Sequence, residues 1–200
     1  MPPGYIIKRV ADESSLIIAA DSGFDAAILY NIEPDYVVGD MDSVTRKEEL
    51  EALDSERIRT YPREKDETDT EIALSVALEC GSDYITLAGG GGGRIDHLLG
   101  ILSLFDREKY PDEWYTGKER IVVVSESTEL ESMEGRRVSF FPVGGEPCTM
   151  VSEGLAWPLD GLLWKKGDAG ISNIITAGRM KVTMKTGRLI MVLDIEREAF

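Results

Sequence analysis

The sequence predicts an α/β fold: a mostly parallel sheet with flanking helices, followed by a smaller antiparallel β-sandwich domain. Two observations predict it. From residue 16 to residue 124, short apolar runs alternate with amphipathic segments, as strand–helix units around a parallel sheet do. From Ser125 onward the helix signals stop and period-two alternation takes over, as antiparallel strands require. The expected boundary places residues 1–126 in the first domain and 127–200 in the second.

The elements follow in chain order. Residues 5–10 read as a helix. Residues 16–20, Leu-Ile-Ile-Ala-Ala, read as a buried strand ending at Asp21, and 24–30 as a helix. Residues 36–38 form a second strand that ends at Gly39-Asp40, and 46–53 and 57–61 suggest a helix and a short strand. Thr68 with Glu71 three residues on is a capping box. Ala73, Val76, Ala77 and Cys80 then share one face of the helix it opens, which predicts a core position for Cys80. Residues 84–88 read as a strand. Five glycines, Gly89 to Gly93, lead into a helix over 95–104, and 121–124 closes the parallel series. In the last third, 181–186 alternates with period two and 189–193 returns after Gly187-Arg188, a two-residue hairpin turn with glycine first.

Charge and length narrow the classes of function. Two hundred residues accommodate one large domain or two small ones. Twenty-two basic against 37 acidic side chains leave a net charge of −15. Such a chain repels a phosphate backbone, so no nucleic-acid binding through a basic surface is expected. The two cysteines, Cys80 and Cys148, lie far apart outside any Cys-x-x-Cys spacing. This pattern excludes a cysteine zinc site and fits a reducing, cytoplasmic setting. The N-terminal residues carry no secretory pattern, and no stretch predicts a membrane span, so no membrane partner is expected.

Carboxylates recur where the predicted strands end: Asp40 and Asp42 after the second strand, Asp66 and Asp69 at the capped helix, Asp96 where the glycine run enters a helix. Ligands of open α/β sheets bind beyond the carboxyl ends of the strands. Carboxylates gathered there repel one another unless a cation lies between them. An all-oxygen donor set selects a hard ion, Mg²⁺ first, shared with substrate phosphates. Each aspartate alone reads more readily as a turn or cap residue than as a ligand; the recurrence at one edge carries the metal reading. The glycine run before Arg94 has two readings as well, a phosphate cradle at a helix N-terminus or a flexible loop. Neither a Walker pattern nor a strict Gly-x-Gly-x-x-Gly occurs. His97, the one histidine, is expected to pack or cap the helix rather than catalyse.

Taken together, Ala20-Asp21-Ser22-Gly23, Gly39-Asp40-Met41-Asp42-Ser43, Lys65-Asp66-Glu67-Thr68-Asp69 and Gly93-Arg94-Ile95-Asp96-His97 resemble, in order and spacing, the thiamine pyrophosphokinase family. Gly154-Leu155-Ala156-Trp157-Pro158-Leu159 and Gly170-Ile171-Ser172-Asn173 resemble its thiamine-side segments. The resemblance covers residues 16–193. It implies transfer of the terminal pyrophosphoryl unit of ATP to the thiamine hydroxyl, giving thiamine diphosphate and AMP. It also implies a nucleotide-binding catalytic domain over 1–126 and a thiamine-binding β-sandwich over 127–200. It further implies a homodimer, with thiamine between the first domain of one subunit and the second of the other. Carried over by position, Asp40, Asp42, Asp66 and Asp69 hold Mg²⁺ and phosphates. Asp21, Gly23, Lys65, Thr68, Gly92, Gly93 and Arg94 hold ATP. Asp96 contacts thiamine or activates its hydroxyl, and Trp157, Ser172 and Asn173 bind thiamine. The catalytic set is then Asp40, Asp42, Asp69 and Asp96. Several positions depart from the family pattern. Asp21-Ser22-Gly23 replaces Asp-Gly-Gly, Ala156 replaces a basic residue, and Ile174 stands where an acidic one is frequent. The family's opening strand and glycine loop are expected to be absent before the first helix. Without the resemblance, Trp157 reads as a core residue.

Overall fold

Val37 and Val38, fully buried on neighbouring positions of one strand, explain the architecture of the N-terminal unit: their strand is covered on both faces. The computed structural model describes residues 1–195, and the chain divides into two compact units, Met1–Gly89 and Gly90–Phe200. The first unit runs α1 (Gly4–Glu13), β1 (Ile18–Ala20), α2 (Gly23–Leu29), β2 (Tyr36–Gly39), α3 (Lys47–Glu51), β3 (Ile58–Thr60), α4 (Asp69–Glu79) and β4 (Thr86–Ala88). Strands β1, β2 and β3 form a parallel sheet in that order. Side chains alternate across it. Ala19 and Val37 pack with Phe24, Met41, Val44 and Leu50 on the α2–α3 side. Val38 packs with Ile72 and Val76 of α4, against Ile18 and Ala20, on the other.

Helix α4 begins as its sequence dictates. Thr68 Oγ1 accepts from the Glu71 backbone N–H at 3.3 Å, and a Glu71 carboxylate oxygen accepts from the Thr68 N–H at 2.7 Å. Its buried residues are Ile72, Leu74, Val76 and Ala77. Cys80, expected in the core, is exposed. It caps the helix C-terminus, one position beyond the last helical residue.

The second unit contains α5 (Ile95–Leu104), then β5 (Glu113–Tyr115), β6 (Glu119–Val124), β7 (Ser127–Glu131), β8 (Arg137–Val143), β9 (Cys148–Glu153), β10 (Leu163–Trp164), β11 (Gly170–Ile174), β12 (Arg179–Thr186) and β13 (Arg188–Asp194). One sheet has the order β10-β9-β12-β7, and the strands β11-β8-β13-β6-β5 belong to another. A single hydrophobic cluster joins them: Cys148, Met150, Met180 and Val182 from the first meet Val124, Val138, Phe140, Leu189 and Met191 from the second. The antiparallel part is therefore the larger one, not the smaller one that the sequence predicts.

Two sequence expectations change here. Residues 121–124 do not close the parallel series: β6 pairs antiparallel with β13 (Val123 opposite Ile190) and with β5 (Ile121 opposite Trp114). A fully buried apolar run reads alike in either kind of sheet. Nor do β12 and β13 form a hairpin. The first pairs with β7 and β9, the second with β6 and β8, so the chain passes between sheets at Gly187. A Cβ there would lie 2.9 Å from Cys148 Sγ and 3.0 Å from two backbone oxygens, at φ +66°. The glycine answers to that crossing, not to a two-residue turn.

Phe140 is fully buried between both sheets' side chains. Phe140→Ala is expected to destabilise the protein by about 3–5 kcal/mol, read as a lowered denaturant midpoint. A loss below about 1 kcal/mol contradicts the shared core.

Candidate functional site

Strands β1 and β2 end side by side, and the chain bends sharply at both ends. The Asp21 N–H donates to Val38 O at 2.8 Å, extending the pairing by one residue. Asp21 then adopts φ +46° and Met41 φ +61°, with Gly39, the last residue of β2, at φ +135°. Positive φ at non-glycine residues is uncommon and concentrates at ligand sites. A Cβ on Gly39 would stand 2.9 Å from Asp69 Oδ1 and 3.3 Å from Asp21 Cβ, so only glycine permits the approach. The result is a group of carboxylates: oxygens of Asp21, Asp40 and Asp42 all lie within 4.8 Å of one another.

Few cations offset this charge. Lys65 places Nζ 3.0 Å from Asp69 Oδ1 and 3.9 Å from Asp40 Oδ2, and Arg63 Nε lies 3.4 Å from Asp42 Oδ2. The Asp42 backbone N–H donates to Asp40 Oδ1 at 3.0 Å. That bond, helped by the nearby Lys65 ammonium and opposed by partial burial, holds the Asp40 carboxyl below the usual carboxylate range. Asp40 is therefore ionised at neutral pH. One oxygen is nonetheless unsatisfied: Asp21 Oδ1 is buried without a hydrogen bond, whereas Asp69 Oδ1 has the Lys65 ammonium at 3.0 Å. A buried acceptor left without a donor is costly. An oxygen-only set with an orphaned acceptor fits a hard divalent cation.

The structure thus gathers Asp21, Asp40 and Asp42, with Lys65 and Asp69 beside them. Asp21, expected on the nucleotide side, joins the carboxylates expected to hold metal. Asp66 is exposed and outside this group. Thr68 is engaged in its capping box. Gly23 opens α2 on the residue pair after Asp21. The sequence reading passed over Arg63 and Lys47, whose ammonium donates to Met41 O; neither belongs to a motif, so no signal pointed to them.

In the second unit, the glycine run has an internal explanation at its centre. A Cβ on Gly90 or Gly91 would approach Ile101 Cδ1 or Thr116 Cβ to 2.3 Å. Gly92 and Gly93 have nothing within 4 Å of an added Cβ, so open space adjoins them ahead of α5. Arg94, expected as a phosphate fork, is paired instead with Asp96: Nε donates to Oδ1 at 3.1 Å and Nη2 donates to Oδ2. Chiefly for that reason the Asp96 carboxyl is pulled down to about 2. His97 is exposed rather than packed, its backbone N–H donating to Asp96 Oδ1 at 3.1 Å.

Trp157 is not a core residue; it is 62% exposed. Asn173 is another residue expected to bind thiamine. It is buried, and its amide is spent on the chain itself: Oδ1 accepts from the Trp157 and Ile174 N–H groups at 3.1 and 2.8 Å, and Nδ2 donates to Trp157 O at 2.7 Å. Asn173 therefore pins the backbone that presents the Trp157 ring. Ser172 remains exposed at φ +60°, its N–H donating to Ser139 Oγ.

The Asp96 pair gives a direct test. Its folded value is lowered, so its contribution is present above the ordinary value of 3.8 and is lost as pH falls through about 2. A carboxyl-detected NMR titration is expected to find a midpoint near 2 and, in Arg94→Ala, a return toward 3.8. An unchanged midpoint in the variant contradicts the pairing.

The thiamin pyrophosphokinase catalytic-domain model matches residues 7–112, and the family's vitamin B1 binding-domain model matches residues 121–190. The thiamine pyrophosphokinase of Bacillus subtilis is 30% identical over 197 residues, 90% of this chain and 88% of that protein. The crystal structure of a Bacillus subtilis thiamine pyrophosphokinase superposes with a TM-score of 0.78 at 26% identity, covering 98% of this chain and 97% of that one. That of the Geobacillus thermodenitrificans thiamin pyrophosphokinase gives 0.74 at 25% identity, covering 100% and 94%. With both domain models matched in order and this degree of identity along nearly its whole length, the chain belongs to the thiamine pyrophosphokinase family.

Proposed function

We propose that this chain catalyses transfer of the pyrophosphoryl group of ATP to the hydroxyl of thiamine, releasing AMP and thiamine diphosphate. The observation that carries this reading is the Asp21–Asp40–Asp42 group with its unsatisfied buried oxygen, in a chain matched by both domains of the family. Asp21, Asp40 and Asp42 would hold Mg²⁺, with Asp69 and the expected ligand Asp66 at the margin. The ion, when bound, supplies Lewis-acid stabilisation of charge on the phosphates. Lys65 lies between Asp40 and Asp69 and offsets their repulsion. In the reaction the thiamine hydroxyl oxygen bonds to the β-phosphorus, the bond from that phosphorus to the oxygen bridging it to the α-phosphate breaks, AMP leaves with that oxygen, and the hydroxyl proton passes to solvent. Such transfer depends on positioning and charge neutralisation more than on covalent catalysis.

The second unit supplies the remaining groups in this reading. Gly92, Gly93 and Arg94 at the N-terminus of α5 receive phosphate oxygens, where free N–H groups and the helix dipole favour anions. For that, Arg94 exchanges Asp96 for the nucleotide. Asp96, released from Arg94, serves as an anionic partner for the thiamine cation or activates its hydroxyl. The exposed Trp157 ring stacks on thiamine, a cation on an aromatic face, and Ser172 offers its hydroxyl. We place the functional division at 126/127; two successive domain models, over 7–112 and 121–190, support a two-part chain. A homodimer is supported by exposed Ile95, Leu99, Trp157 and Ile171. Two free cysteines support a cytoplasmic setting. Among the described residues no helix is long and apolar enough to cross a membrane.

Incubation with ATP, Mg²⁺ and thiamine is expected to yield AMP and thiamine diphosphate in equal amounts. ATP consumption without thiamine indicates a hydrolase, and thiamine binding without AMP a sensor; either overturns the proposal. Asp40→Ala and Asp69→Ala are each expected to lower turnover by more than about a hundredfold, beyond the ~10–100-fold typical of an outer partner. Their thermal midpoints should stay near that of the parent, and full activity in both removes the metal reading.

A further inference from the structure

Asp25 lies in the first turn of α2 and is absent from every motif considered above. Both oxygens of its carboxylate nevertheless accept hydrogen bonds from the loop beside the site. Oδ1 accepts from the Thr45 N–H at 3.1 Å and the Arg46 N–H at 3.0 Å. Oδ2 accepts from the Thr45 N–H at 2.9 Å and from Thr45 Oγ1 at 2.6 Å. All these donors belong to the end of the loop that leaves β2 and carries Asp40 and Asp42. Burial raises the Asp25 carboxyl, but these bonds from Thr45 and Arg46 outweigh it and hold the group ionised.

The same loop is fixed at other points. Lys47, just beyond it, donates back to Met41 O, the carbonyl between Asp40 and Asp42. Met41 and Val44 are buried with Phe24 and Leu50. Phe24 adjoins Asp25 on α2, and α2 follows directly from Asp21. One helix therefore begins beside one carboxylate of the group and grips the loop that bears the other two. We infer that Asp25 is a positioning residue for the metal site: by tying residues 45–46 to α2 it sets Asp40 and Asp42 against Asp21. It does not touch the ion. Its charge matters because a carboxylate accepts from several donors at once, and hydrogen bonds to ionised groups are the stronger ones. The loop is thereby preorganised, so less is lost in ordering it when the cation arrives. This inference rests on the metal reading of Asp21, Asp40 and Asp42.

The test is a titration of the intact protein with Mn²⁺, followed by electron paramagnetic resonance of the free ion, alongside thermal midpoints. Asp25→Ala is expected to weaken Mn²⁺ binding about tenfold or more while the midpoint moves by a few degrees only. Asp25→Asn, which keeps one accepting oxygen, is expected to fall between Asp25→Ala and the parent; it carries the test if Asp25→Ala does not fold. Asp40→Ala serves as the reference. If Asp40→Ala weakens binding and the Asp25 variants do not, the positioning role is overturned and the metal site stands. If Asp40→Ala leaves binding unchanged, the metal reading itself falls, and the positioning role with it.

Discussion

The architecture of the N-terminal unit depends on one electrostatic constraint: carboxylates from separate strand ends are held closer together than they would settle in water. Asp21, Asp40 and Asp42 lie within 4.8 Å of one another, and two basic side chains, Lys65 and Arg63, approach the group and its neighbour Asp69. Like charges at that spacing repel. They stay because the parallel pairing of β1 with β2 brings the strand ends into register, with Ala20 opposite Val38, and because the next residues are bent by positive φ angles. The hydrophobic packing of Met41 and Val44 then resists relaxation of the loop. Stability supplied by the core is in this way spent on a charge distribution that a cation can relieve.

The two units use opposite means to present polar groups. In the first, helix α2 and a short loop fix ionised oxygens at the end of a parallel sheet. In the second, antiparallel strands and the crossing at Gly187 form a shared apolar core. That core leaves Trp157 outside it, held by the buried amide of Asn173. An aromatic ring held by backbone bonds loses little freedom on meeting a flat cationic ligand. The acidic and the aromatic features both suit a reaction that joins a cationic alcohol to a polyphosphate.

Much of this was legible from residue order. The alternation of apolar runs located the elements of the parallel unit, and the capping box at Thr68 and Glu71 fixed the start of α4. The acidic motifs pointed to Asp40 and Asp42. What the sequence did not disclose is pairing partners. The run 121–124 is equally apolar in a parallel or an antiparallel sheet, and Gly187 looks like a hairpin turn until β12 and β13 are found in different sheets. Three site features were hidden for a related reason. The pinning role of Asn173, the capture of Arg94 by Asp96 and the grip of Asp25 on Thr45 each depend on which groups a side chain meets once folded. Residue type alone carries no sign of that. Cys80 shows the limit of periodicity: it continues the apolar face by spacing, yet lies past the end of the helix that would bury it.

The most direct measurement is anomalous diffraction from crystals of the protein grown with Mn²⁺ and a non-hydrolysable ATP analogue. The account predicts a peak bounded by oxygens of Asp21, Asp40 and Asp42, with phosphate oxygens completing the coordination. A cation bound elsewhere, with these three carboxylates splayed toward solvent, would contradict it.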